Sequence, residues 1–378
     1  MVRHRERQRG MWLAPAVAAA LLSGCVAGEP PPPSPAPSTL TMAAVAGRAA
    51  HTSTTLDDGR VLVVGGCVTD GCAIATRDTA LVDAAGARAV AGPKLREPRS
   101  SHTSTPLEDG RVLVVGGFLG EGAGVTGSIE MFDPDDGAML QADSLVQARG
   151  GHAAARLSDG RVLVVGGWIS PGRYTDTVEI VDPVTREVTP AQPLPWAADA
   201  LEATSLPDGG VLVTGGQVAR GAATPLAAVF EEFTGQWRVV DSMNTPRLKH
   251  FAVRLDDGRI LLGGGTPDDR TLLATTEVFD PGTGGFAPGP GMIEARYKLP
   301  GGVVALPASR VLIASGGRTA EIVDVASGAS QLVAEFDGRA SFATVNLVAN
   351  DAALVLGGYD EQIDLTGLDR LIRVPAAP

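Results

Sequence analysis

The sequence predicts an all-β protein: a seven-bladed β-propeller with four antiparallel strands per blade and an N-terminal strand that closes the last blade. Three observations carry this. A unit of about 50 residues recurs seven times. Most copies hold an uninterrupted apolar run of strand length between a turn signal and a glycine doublet. The strand missing after the last copy is found ahead of the first.

Residues 51–66 read HTSTTLDDGRVLVVGG, residues 102–117 HTSTPLEDGRVLVVGG, and residues 152–167 HAAARLSDGRVLVVGG. Weaker copies occupy 201–216, 250–265, 301–316 and 343–358, and the doublet positions begin at Gly65, Gly116, Gly166, Gly215, Gly264, Ser315 and Gly357. Asp-Gly pairs such as Asp58-Gly59, Asp109-Gly110 and Asp159-Gly160 are hairpin signals, because glycine tolerates a positive φ. The run Val61 to Val64 does not alternate with polar residues, so both faces of that strand must be covered. A third strand follows a variable loop, at 129–133 (IEMFD), 178–182 (VEIVD), 228–231, 277–280 (EVFD) and 321–324 (EIVD). Turn chemistry such as Asp280-Pro281-Gly282 leads into a fourth. Four strands per unit, repeated around an axis, make a propeller blade.

The ends complete one another. After a third strand at 368–374 only residues 375–378 remain, while residues 39–44 precede Arg48 and His51 as fourth strands precede Arg149 and His152. Residues 39–44 are therefore predicted to pair with the C-terminal blade and remove its free edge.

With its doublets and an aromatic pair separated by six intervening residues after the third strand, the chain resembles the kelch-repeat family, including the kelch domain of galactose oxidase. Phe230 with Trp237 and Phe279 with Phe286 keep that pair; Phe132 with Met139 and Val181 with Val188 keep its apolar character. The resemblance covers roughly residues 39–375. It raises copper-radical chemistry, which needs a Tyr cross-linked to Cys. Tyr174, Tyr297 and Tyr359 are the three tyrosines, and neither Cys67 nor Cys72 sits in a matching context. The Asp-box repeats of sialidase propellers are absent from the sequence.

Ahead of the repeats lie Arg3, Arg5, Arg7 and Arg9, an apolar stretch at 11–22 too short to span a bilayer, and Leu22-Ser23-Gly24-Cys25. This order resembles the lipobox of bacterial lipoproteins and implies lipidation of Cys25, with an ordinary cleaved signal as the alternative. The resemblance implies residues 1–24 as signal peptide, 25–38 as a Pro-rich linker and 39–378 as the propeller. Val26, where inner-membrane lipoproteins commonly carry Asp, implies the outer membrane. Prolines 30–33, 35 and 37 favour a stiff polyproline spacer.

The formal charge is −12 at pH 7, and losing the leader removes four Arg against Glu6, leaving a more acidic body. A nucleic-acid partner is thereby disfavoured, since phosphate binding needs a basic stripe. Outside the cytoplasm a Cys67–Cys72 disulfide is plausible, with two free thiols as the alternative. Four histidines share one repeat position, each three residues after an arginine: Arg48 and His51, Arg99 and His102, Arg149 and His152, Arg247 and His250. They either fasten the loops between blades, ring a metal, or touch a ligand. The loops between second and third strands vary most, and they supply Trp168, Arg173, Tyr174, Asp268, Asp269, Arg270, Tyr359 and Asp360 as candidate contacts, or are irregular with no ligand.

Two function classes follow. The first is an envelope-anchored, non-enzymatic and monomeric scaffold that binds a protein or glycan through the loop-rich face, with no cofactor, metal or catalytic residue implied. The second is a carbohydrate-active enzyme of oxidase or epimerase type on the same fold.

Overall fold

In this computed structural model the described residues are 38–39, 47–85, 88–219, 221–367 and 369–377. Lipidation at Cys25, the leader and the Pro-rich spacer fall outside them.

Seven four-stranded antiparallel sheets follow one another along the chain. Blade 1 is built from Thr52–Thr55, Val61–Val64, Thr79–Asp83 and Arg88–Ala91, and blade 2 from Thr103–Pro106, Val112–Val115, Ser128–Asp133 and Ala138–Ser144. Blade 3 runs through Ala153–Arg156, Val162–Val165, Val178–Val181 and Val188–Ala191; blade 4 through Glu202–Ser205, Val211–Thr214, Ala227–Glu231 and Gln236–Val239. Blade 5 is Phe251–Arg254, Ile260–Gly263, Thr276–Asp280 and Gly285–Pro288, and blade 6 is Val303–Leu306, Arg310–Ile313, Thr319–Asp324 and Ala329–Glu335. Blade 7 supplies Thr344–Ala349, Ala352–Leu356 and Asp369–Arg373, and its fourth strand is Ser38–Thr39, with Ser38 opposite Leu371 and Thr39 opposite Arg370. The closing strand thus begins one residue earlier than the sequence suggested, and residues 40–44 lie outside the described set.

The unbroken apolar runs become second strands buried along their whole length. Their side chains feed seven apolar clusters, each shared by two neighbouring blades. Leu62, Val64, Val112 and Val114 join blades 1 and 2; Val61, Val63, Leu354 and Leu356 join blades 1 and 7, so the ring closes through packing as well as through Ser38–Thr39. The aromatic pairs are cross-strand partners, Phe230 opposite Trp237 and Phe279 opposite Phe286, with centroids 5.2 and 4.9 Å apart. Phe132 and Met139 hold the same register in blade 2.

The Asp-Gly-Arg turns have a local cause. Asp58 accepts the amide of Arg60 at 2.9 Å and pairs with its guanidinium at 2.6 Å, and Gly59 takes φ 83°. Three of the variable loops contain short ribbons: Phe118–Gly120 with Gly124–Val125, Trp168–Ser170 with Arg173–Tyr174, and Gln217–Ala219 with Ala222–Ala223.

Candidate functional site

The repeated arginines turn away from the axis into the blades. Arg149 donates to the carbonyls of Gly166 and Thr177 and pairs with Glu179 at 2.6 Å, with no exposure of its side chain. Arg99 with Glu130, Arg247 with Glu277 and Arg296 with Glu321 repeat the arrangement at 2.6, 3.1 and 2.7 Å. The same glutamates accept backbone amides from the incoming linker, as Glu179 does from Val146 and Gln147. A buried charge pair holding extra hydrogen bonds fixes how one blade enters the next. Blade 4 replaces the device: Trp196 donates to the carbonyl of Gly215 at 3.1 Å, and Ala228 stands where the glutamate would be.

The imidazoles bridge blades. His51 pairs through Nε2 with Thr344 Oγ1 at 3.0 Å, His102 with Thr52 at 2.9 Å, His152 with Thr103 at 3.0 Å and His250 with Thr214 at 2.9 Å. Burial, seconded by the neighbouring arginine, pushes His51, His152 and His250 down to about 3, so they are neutral. Each rests on a glycine of the preceding blade: a Cβ on Gly116 would lie 2.8 Å from His152 Cε1 and 2.7 Å from the Arg149 carbonyl. Leu201 and Leu299 take the same place against Gly166 and Gly264. A position that accepts leucine is one of shape, and the hydrogen-bonded fastening is the arrangement found. Among the described residues no group of three or more His, Cys, Asp or Glu could hold a metal ion.

The axis itself carries a feature that the repeats imply only collectively. Ala50, Ser101, Gly151, Ala200, Lys249, Lys298 and Phe342 occupy equivalent positions just before the innermost strands, all with φ between 45° and 61°. They are linked head to tail: the amide of Ser101 donates to Ala50, Gly151 to Ser101, Ala200 to Gly151, Lys249 to Ala200, Lys298 to Lys249 and Phe342 to Lys298, at 2.8 to 3.0 Å. Left-handed backbone at non-glycine residues is costly and persists where the surroundings enforce it. The result is a backbone collar on the loop-rich face.

Beneath the collar lies a cavity of about 410 Å³. Hydroxyls of Thr52, Ser53, Thr103, Ser104 and Thr105 line one side, and Asp199, Glu202 and Gln217 come from blade 4. His51, His102 and His152 also reach its wall. The rim is asymmetric: it is small at Ala50, Ser101, Gly151 and Ala200, and large at Lys249, Lys298 and Phe342. Lys249 pairs with Asp269 at 2.9 Å. The Lys298 ammonium lies 4.7 Å from the Tyr297 ring centre, 4.6 Å from Tyr359 and 5.8 Å from Phe342. Burial pulls Lys298 down to about 8 and pushes Asp199 up to about 7 and Glu202 up to about 8.

The structure divides the candidate loop contacts. Asp269 and Tyr359 reach the rim. Trp168 packs on Phe118, a cavity residue, at 5.4 Å, and Tyr174 accepts a hydrogen bond from Gln217 at 2.8 Å. Asp268 instead accepts the amides of Arg270 and Thr271, and Asp360 those of Gln362 and Asp364, so both shape their own loops. Arg173 and Arg270 stay exposed. The sequence reading missed Asp199, Glu202, Lys249, Lys298 and Phe342; comparing the seven copies position by position would have found them, since each departs from small or hydroxylated counterparts. Cys67 and Cys72 form a disulfide.

The kelch motif model matches residues 149–195, which begin at Arg149 and cover blade 3. No curated protein matches the chain. Among solved structures, one titled "Structure of YjhT" superimposes with a TM-score of 0.52 at 14% identity, over 86% of this chain and 93% of its own. That likeness is one of fold. Motif, seven-fold register and fold agree: the chain is a seven-bladed β-propeller whose third blade carries the kelch motif.

Proposed function

We propose that this protein is an envelope-anchored, non-enzymatic kelch scaffold that binds a glycan through its loop-rich face, with the terminal sugar entering the central cavity. The observation that carries the reading is the cavity under the collar. Its volume suits one or two sugar rings, its hydroxyls and carboxyls offer both donors and acceptors, and Phe118 and Phe342 offer apolar faces for ring packing. A protein partner would use the outer loops and leave the cavity empty. The sequence alone supports the anchor: the basic leader, apolar run and Cys25 favour a propeller held at a membrane, and Val26 favours the outer one.

Glycan-array screening of the full-length protein in detergent micelles, followed by calorimetry, tests the binding. Phe118→Ala and Phe342→Ala are each expected to weaken a bound glycan at least tenfold. Binding unchanged in both variants would move recognition off the cavity. Detergent partitioning of Cys25→Ala tests the anchor: the variant is expected in the aqueous phase, and its retention in detergent would refute lipidation.

A further inference from the structure

We propose that the cavity recognises a ligand bearing a protonated primary amine, an amino sugar within the glycan reading on which this rests, and that the Glu202 carboxylate is its counterion. Glu202 opens the innermost strand of blade 4. Its counterparts by strand register are Thr52, Thr103, Ala153, Phe251 and Thr344, so the carboxyl breaks the repeat and does not belong to it. It is half-buried on the cavity wall and makes no hydrogen bond or ion pair among the described residues. The other titratable and charged groups on the same wall are Asp199, Lys249, His51, His102 and His152. Lys249 is committed to Asp269, and the imidazoles are neutral and each paired through Nε2 with a threonine: His51 with Thr344, His102 with Thr52 and His152 with Thr103. Glu202 therefore faces the cavity without a cation.

Three ligand classes answer an unpaired carboxyl among hydroxyls, with Asp199 as a second carboxyl on the wall. A metal ion needs more ligands than two carboxylates, and no group of three or more His, Cys, Asp or Glu that could hold one is present among the described residues. A neutral sugar would hydrogen-bond the acid but leave its charged form unmatched. An ammonium brings three N–H donors, which one carboxylate oxygen and two Ser or Thr hydroxyls can accept. Glu202 is held up near 8 by burial alone, so at pH 7 the empty cavity holds mostly the carboxylic acid. When a protonated amine arrives, the carboxyl loses its O–H proton to solvent and the ion pair forms, so up to one proton is released per ligand bound.

Calorimetry at pH 7 on the full-length protein in micelles, in two buffers of different ionisation enthalpy, reads that proton directly. Glucosamine is expected to bind at least tenfold tighter than glucose or N-acetylglucosamine and to release a substantial fraction of a proton. Glu202→Gln is expected to abolish the release and the preference, and an unchanged circular-dichroism spectrum shows that the variant is folded. Equal affinity for glucosamine and glucose, or a preference that survives Glu202→Gln, overturns the proposal and leaves the glycan reading standing. Ethanolamine bound as tightly as glucosamine would keep the amine site and reject the glycan reading. Failure of every probe to bind rejects both.

Discussion

Blades 3 and 4 are adjacent copies of one unit, yet they use the same positions in opposite ways. In blade 3 the linker is fastened by Arg149 on Glu179, the imidazole of His152 fills the gap beside Gly116, and Ala153 starts the innermost strand. In blade 4 the corresponding places hold Ala198, Ala228, Leu201 and Glu202, and Trp196, two residues before Ala198, supplies the donor to Gly215. The apolar substitutes satisfy the packing, and the polar groups move to the axis: Asp199 and Glu202 line the cavity, and their counterparts in blade 3 are Gly150 and Ala153. The lesson is that the repeat signature is strongest where side chains serve the blade and fades where they serve the channel.

The contrast breaks most visibly at the ion pair. Glu179→Ala leaves the Arg149 guanidinium buried without its partner, and the expected loss is about 3–5 kcal/mol, read by chemical denaturation. Replacing the pair together by Arg149→Met and Glu179→Leu, which imitates the apolar solution of blade 4, is expected to cost markedly less. Equal losses for the single and double variants would show that the pair is not a coupled unit.

A second comparison concerns the seam between blades 7 and 1. The segment bridged by Cys67 and Cys72 reaches both neighbours: the amide of Gly71 donates to Ile363 at 3.0 Å, Leu365 donates to Asp70 Oδ1 at 3.0 Å, and Glu121 donates to Ala73 at 2.8 Å. Closing so short a loop contributes about 2 kcal/mol in the chain-entropy account. Cys67→Ser with Cys72→Ser is expected to lower stability by that order and to speed hydrogen exchange at Gly71 and Leu365 before any amide of blades 3 to 5. Uniform exchange around the ring would dissociate the bridge from the seam.

Much of this molecule is legible in its sequence because a single rule is written seven times. The uninterrupted second strands, the Asp-Gly turns and the displaced closing strand follow from covering apolar faces and edges, and these constraints act locally. The cavity was hidden for a different reason. Lys249, Lys298 and Phe342 stand side by side on the rim at one repeat position, each supplied by a different blade, and none of the three is unusual until the copies are compared with one another. The glutamates of the third strands were visible as letters in EMFD and VEIVD, but their partner arginines lie about 30 residues away, in the linker that enters the same blade. Arg296 was missed because no histidine follows it at the repeat spacing; Leu299 fills that place.

The smallest expected effects are the most discriminating, because His152 and Glu202 give blades 3 and 4 opposite pH dependence. Folding lowers His152 from its ordinary 6.5 to about 3, so the unfolded chain binds the extra proton and stability is lost as pH falls from about 6.5 towards 3. Folding raises Glu202 from 4.5 to about 8, so here the folded chain holds the extra proton and stability is lost as pH rises from about 4.5 to 8. One proton corresponds to at most about 1.4 kcal/mol per pH unit. His152→Leu, which copies Leu201, is expected to cost below about 1.5 kcal/mol at pH 7 and to flatten the acid limb of a denaturation series run from pH 4 to 9. Glu202→Gln is expected to leave that limb intact and flatten the rise-side loss between pH 5 and 8. If both variants flatten the same limb, the two blades do not differ in the way their buried groups imply, and the assignment of Glu202 to the cavity as an uncompensated carboxyl fails with it.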